Sequence, residues 1–334
     1  MAILKPQLSH SLSSLLPILV IHGIILVLLI MFFNQLDTGK LFSKHLKDSG
    51  HAAVFFVGTY MLTLFLDSPR IRRLGTLTAR IGALMLLCLV IGVAIELIQP
   101  SFGRESSLED VIYDLLGISA AILVYLLKQP NTGAKQRWQM GTAACLLLLI
   151  SAAKPIYYGY LRIQQQQLLP ILIDFDANWQ NILFVASQGG EVAIVGSPDG
   201  WLENQSRVLQ ITMDSTQYPG ASLNHIWSDW SGYQSLSMDL YSAHSDSFPL
   251  VVRIHDGKHN LDYDDRFNQR IIVQPGVNHI TLDLELVKEA PKNRQMELND
   301  ISALMLFTVR PGKPRQVFLD NIRLSGRDIV ASDP

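Results

Sequence analysis

Long apolar runs crowd the first 160 residues of this chain and are absent from the remainder; no other feature constrains its fold as strongly. A helix needs about 20 mostly apolar residues to cross a bilayer. In lipid, every backbone N–H and C=O must find a partner inside the protein, which leaves the α-helix as the conformation for such runs. Five stretches read as spans: Leu15–Phe33, His51–Leu66, Ala79–Ile98, Leu108–Leu127 and Gly141–Tyr158. The first has an apolar core longer than the roughly 7–15 residues of a secretory signal, and no small-x-small cleavage pattern follows it, so it is expected to stay as a span.

Basic loops fix the orientation, because they are retained on the cytoplasmic side. Arg70, Arg72, Arg73 and Arg80 follow the second span, and Lys128, Lys135 and Arg137 follow the fourth. This predicts a multi-pass protein of the cell membrane with a cytoplasmic N-terminus and an extracytoplasmic C-terminal half. Lys40, Lys44 and Lys47, between the first two spans, vote the other way.

Polar side chains gather where the spans should meet the outer interface: His51, Glu96, Gln99, Arg104, Asp110 and Asp114. Glu96 and Gln99 are three apart and share a helix face, as do Asp110 and Asp114, four apart. A charge at mid-membrane costs about 2.5–3.5 kcal/mol on insertion scales, so such groups face a bundle interior and pair. One reading is a polar pocket between three helices. The other is a set of ordinary interfacial charges in a short loop. Gly117, three residues beyond Asp114, would let a neighbouring helix come close.

These positions resemble the VanZ-like membrane proteins, a family named for a protein associated with teicoplanin resistance. The matching residues are His51, Glu96, Gln99, Arg104, Asp110 and Gly117, within residues 40–127. Two positions depart from the pattern: the order here is Lys47-Asp48, and Asp114 stands where Asn is usual. The resemblance implies a role in the cell envelope.

Residues 1–160 thus form an expected helical membrane bundle. RIQQQQLLP, at 162–170, reads as a polar connector within a linker spanning 161–170. From 171 to 334 the period changes. ILIDF, LVVRIHD, RIIV, HITLDL, SALMLF and VFLDNIRL are short β-rich runs, separated by the turn signals SPDG, QPG and RPGKP. Their spacing predicts an all-β sandwich. Both cysteines, Cys88 and Cys145, lie in the apolar half, so the sandwich has no disulfide framework. The formal net charge of −2 gives no basis for a nucleic-acid partner.

Asp174-Phe175-Asp176, Trp230-Ser231-Gly232-Tyr233, His255-Asp256-Gly257, Arg266-Phe267-Asn268, Gly276-Val277-Asn278 and Phe318-Leu319-Asp320-Asn321-Ile322 resemble the galactose-binding-like jelly rolls, carbohydrate-binding modules among them. The resemblance implies a jelly-roll sandwich over about 171–325, with cell-surface or exported polysaccharide as partner beside membrane lipid. A sugar site needs an aromatic ring for the apolar sugar face and planar polar groups for the hydroxyls. Trp179, Trp201, Trp227, Trp230, Tyr233 and Tyr263 supply rings, with Trp179 and Trp230 expected in the core. Tyr263 stands out, beside Asp262, Asp264, Arg266 and Asn268; Trp227 is a further candidate. Related jelly rolls often carry a structural calcium, for which Asp174, Asp176 and Asp320 are the candidate donors, three of the 6–8 oxygens calcium takes. His255 and His259 offer a weaker zinc alternative.

The sequence has no P-loop, dinucleotide fingerprint, G-x-S-x-G elbow or HExxH, so no standard enzyme class is indicated. Three functions compete: a membrane-anchored polysaccharide binder, an intramembrane enzyme, and a structural partner for envelope machinery. The enzyme would act on a lipid-linked glycan or phospholipid head group, with Glu96 and Asp110 as acid and base, His51 as proton carrier and Arg104 holding the anionic head group.

Overall fold

The computed structural model describes residues 9–34, 40–102 and 106–326, which leaves Arg104 outside. The chain divides into two compact units, residues 1–159 and 160–334.

The first unit is helical: α1 (Ser9–Asn34), α2 (Leu41–Thr63), the single turn α3 (Pro69–Arg72), α4 (Leu77–Ile98), α5 (Leu108–Leu127) and α6 (Ala134–Leu168). Hydroxyl caps start the inner helices. Thr76 Oγ1 accepts the Ala79 N–H of α4 at 3.3 Å, and Ser107 Oγ accepts the Glu109 N–H of α5 at 3.1 Å. Among the described residues, three helices are long and apolar enough to cross a membrane: Leu77–Ser101, Leu108–Leu127 and Ala134–Leu168; Val20–Phe33 is a shorter apolar segment. These three contain the third, fourth and fifth expected spans, and Val20–Phe33 lies within the first. Helix α2 starts ten residues before His51, and its opening turns carry Lys44, Lys47 and Asp48. His51 therefore sits in mid-helix instead of opening a span, and Lys44 and Lys47 are helical rather than in a loop.

The glutamine run is also helical. Helix α6 continues through it to Leu168, so residues 161–168 are not an irregular connector. Glutamine is a good helix former, and the residue preceding a proline resists the α conformation, which ends the helix just before Pro170.

Helices α2 and α5 pack closely because Gly117 lacks a side chain. A Cβ at 117 would strike the Ala52 carbonyl oxygen and come within 2.9 Å of Phe56 N. Ala52, Ile118, Ala120 and Ala121 are buried along this contact. The expectation for Gly117 holds.

The second unit is a sandwich of two antiparallel sheets. One runs β3 (Gly190–Gly196), β4 (Arg207–Met213), β11 (Arg315–Ser325), β6 (Ser235–Ser242) and β9 (Gly276–Asp283), with β1 (Ile171–Ile173) also paired to β11. The other runs β2 (Phe184–Ala186), β5 (Gly220–Leu223), β10 (Ile301–Phe307), β7 (Phe248–Asp256) and β8 (Phe267–Val273). Alternation sets which side chains meet between the sheets. In β7, Leu250, Val252 and Ile254 are fully buried, whereas Val251, Arg253 and His255 face away from the core. Trp230 is fully buried and donates its indole N–H to Trp227 O at 2.8 Å; Trp179 packs against the same core.

Candidate functional site

The outer face of the second sheet holds a groove of about 530 Å³. Strand register builds its floor. Asn268 of β8 stands beside Arg253 of β7, which stands beside Met305 of β10. In the next row, Val251 and Phe307 line the groove, and Arg270 pairs with Val251 on the side away from Phe307. Tyr218 packs edge-on against Phe307, with ring centroids 6.0 Å apart, and is 48% exposed. Tyr263, at the start of the short 3-10 turn Tyr263–Asp265, is 67% exposed. The Arg266 guanidinium lies over its ring, 5.0 Å from the centroid.

Arg253 is held from behind. Its Nη2 donates to His259 Nε2 at 3.0 Å, and His259 Nδ1 donates to Asp265 O at 2.9 Å. Both ring nitrogens of His259 are thereby used, so the zinc pair with His255 does not form. Burial, then the positive Arg253 close by, push the His255 imidazole down to about 4.

Of the residues expected to bind ligand, the groove brings together Tyr263, Arg266 and Asn268. Asp262 and Asp264 flank Tyr263 but do not line it, and Asp264 accepts from Lys292 Nζ at 2.6 Å. Trp227 is elsewhere: it packs against the core beneath the Arg162 guanidinium, 4.8 Å from its ring centroid. Sequence reading missed Arg253, Tyr218 and Phe307. The alternation of LVVRIHD already placed Arg253 off the core face.

The calcium donors do not assemble. Asp174 Oδ1 accepts from Gln180 Nε2 at 2.8 Å, and Asp176 Oδ1 from the Arg207 N–H at 3.1 Å. Asp320 Oδ2 accepts from Asn204 Nδ2 at 2.5 Å and Ser206 Oγ at 2.9 Å, while its Oδ1 is buried without a partner. Burial raises the Asp320 carboxyl above its usual value, against the hydrogen bonds from Asn204, Asn321 and Ser206. Among the described residues, one group of three His, Cys, Asp or Glu places its ligating atoms within 4.8 Å of one another, and it is not this one.

That group is His51, Glu96 and Asp110, in the helical unit. His51 Nδ1 lies 3.1 Å from Asp114 Oδ1, and His51 Nε2 lies 3.7 Å from Asp110 Oδ2. Glu96 Oε1 accepts from Gln99 Nε2 at 3.0 Å. Its Oε2 accepts the Ser107 N–H at 2.9 Å, tying the end of α4 to the start of α5. Glu96, Gln99, Asp110 and Asp114 are all buried. Among the described residues, Asp114 Oδ2 and Gln99 Oε1 have no hydrogen-bond partner. A cavity of about 210 Å³, lined in part by His51, Phe55 and Gln99, opens beside them. An imidazole held between two carboxylates can relay a proton, and the three ligating groups can hold a divalent cation.

No known family's sequence profile matches the chain, and no curated protein matches it. Among solved structures, the chain is similar to the family 11 carbohydrate-binding module from Clostridium thermocellum in complex with a β-1,3-1,4-mixed-linked tetrasaccharide. Identity there is 17% and the TM-score 0.37, over 47% of this chain and 95% of that one. It is also similar to the family 30 carbohydrate-binding module of a C. thermocellum cellulosomal cellulase, at 14% identity and TM-score 0.33, over 44% and 92%. A third is an exo-β-agarase, at 19% identity and TM-score 0.38, over 47% of this chain and 25% of the agarase.

Proposed function

We propose that this chain is a VanZ-like integral membrane protein of the cell envelope whose β-sandwich binds cell-surface or exported polysaccharide. The observation that carries this reading is the groove. Two exposed tyrosines stand at it, Val251, Met305 and Phe307 give it apolar surface, and planar polar groups project from adjacent strands. Aromatic rings suit the C–H faces of sugars, and the fork of an arginine and the amide of an asparagine suit vicinal hydroxyls. Topology supports an outward placement. Basic residues follow α2 and α5, and in chain order one further apolar helix, α6, separates the second basic loop from the sandwich. Membrane lipid is then the second partner.

The full chain in nanodiscs is expected to bind at least one member of a broad envelope-glycan panel. Tyr263→Ala should weaken that binding about tenfold, the worth of one aromatic platform. Binding to no glycan, or binding that Tyr263→Ala leaves untouched, counts against the groove.

A second reading is an intramembrane acid–base enzyme acting on a lipid-linked glycan or phospholipid head group. It is favoured by the His51 imidazole set between Asp110 and Asp114 beside Glu96. Here His51 would move the proton, Glu96 and Asp110 would exchange it with substrate, and Arg104 would meet the head group. Folded His51→Ala and Glu96→Gln proteins that keep the wild-type phenotype would remove this reading.

A further inference from the structure

We infer that the groove selects anionic glycans, chains bearing carboxylate or sulfate groups, with Arg253 and Arg266 as the anion-binding pair. This rests on the reading of the groove as a polysaccharide site and names its ligand class.

Among the described residues, Arg253 and Arg266 are the charged side chains that line the groove. Each has a buried Nε with no hydrogen-bond partner among the described residues. No carboxylate lies within ion-pair distance of either among the described residues. Three of the acids nearby in sequence are engaged elsewhere. Asp256 and Asp265 hold Arg294, at 2.5 and 2.6 Å, and Asp264 holds Lys292. Arg253's recorded partner is the His259 imidazole, which offers a lone pair and no negative charge. Burial, and after it the positive Arg266, push the Arg253 guanidinium down to about 10. Register adds Arg270 to the same sheet face, directly beside Val251.

Two guanidinium groups facing one groove repel and stay incompletely hydrogen-bonded. A carboxylate or sulfate entering between them supplies the missing acceptors and charge, and a fork can take it in two parallel bonds. A neutral sugar supplies acceptors without the charge. Tyr263 beneath Arg266 and Tyr218 against Phe307 leave apolar surface for the rest of the sugar ring.

The test uses the full chain in nanodiscs, titrated with oligogalacturonate, its fully methyl-esterified form, a sulfated galactan and a neutral β-glucan. The acid is expected to bind about tenfold or more tightly than its ester, and to weaken as salt rises from about 50 to 500 mM. A preference for the sulfated galactan over the neutral glucan extends the ligand class to sulfate; a preference confined to the uronate narrows it to carboxylate. Arg253→Gln and Arg266→Gln should each remove most of the acid-over-ester preference. The acid–ester comparison on the unmodified protein needs no variant to fold. Equal affinity for acid and ester overturns the inference and leaves the polysaccharide reading standing. Failure to bind any of the four, and any glycan of the broader panel, overturns both.

Discussion

Replacing Arg294 by alanine is expected to lower the stability of the sandwich by about 3–5 kcal/mol, the cost of breaking a buried ion pair from one side. Arg294 Nη1 and Nη2 bond the two oxygens of Asp256 at 2.5 and 2.8 Å, and Nε and Nη2 bond Asp265 at 2.6 and 3.1 Å. The Asp256 side chain is wholly buried. Without Arg294, two carboxylates face each other across the end of β7, and Asp256 keeps the Glu297 N–H, at 2.8 Å. Denaturant unfolding followed by the fluorescence of buried Trp230 measures the change. A loss under about 1 kcal/mol would show that water replaces the guanidinium at no great cost.

The same cluster predicts a pH dependence. Hydrogen bonds from Arg294, then the Asn260 N–H, hold the Asp265 carboxyl down at about 2. Burial would raise Asp256, but Arg294 and the Glu297 N–H outweigh it and keep that carboxyl below its usual value. A carboxyl depressed in the folded state favours folding above its unfolded value, near pH 4, and that contribution disappears as pH falls toward 2. Stability should therefore drop through this window, and the drop should be shallower in Arg294→Ala.

In the helical unit, Gly117→Ala is expected to destabilise by at least about 1–3 kcal/mol, because the added methyl meets backbone rather than a movable side chain. The helices must part, which also draws His51 away from Asp114, one turn along the same contact. Gly58→Ala is the control: a Cβ there meets nothing within 4 Å. It should be neutral or slightly stabilising, as Ala for Gly in a helix generally is. Thermal unfolding of the two variants in detergent checks both expectations. Equal midpoints would mean that α2 and α5 are not in backbone contact.

Elements with a local signal were legible in the sequence. LVVRIHD alternates and became β7, and SPDG and QPG became turns. Tyr263, Arg266 and Asn268 were found because they cluster within six residues. Arg253 was not, because its place in the groove depends on its neighbours Asn268 and Met305, a register that no single segment encodes. His51 was legible as a partner for the polar groups of the neighbouring spans, and the packing of α2 on α5 sets which carboxylate it meets, Asp114. Composition misled at the glutamine run, where polarity hid helix propensity. Asp174, Asp176 and Asp320 each accept from protein donors, a detail of loop packing that their spacing in the sequence does not encode.

Hydrogen–deuterium exchange of the full chain in nanodiscs, with and without saturating oligogalacturonate, tests the glycan groove most directly. Slowed exchange is expected in the Tyr263–Asn268 segment and in the loop around Tyr218, with the helical unit unchanged. Protection confined to other surfaces of the sandwich, or none at a glycan concentration that binds, would contradict the assignment of this face as the binding site.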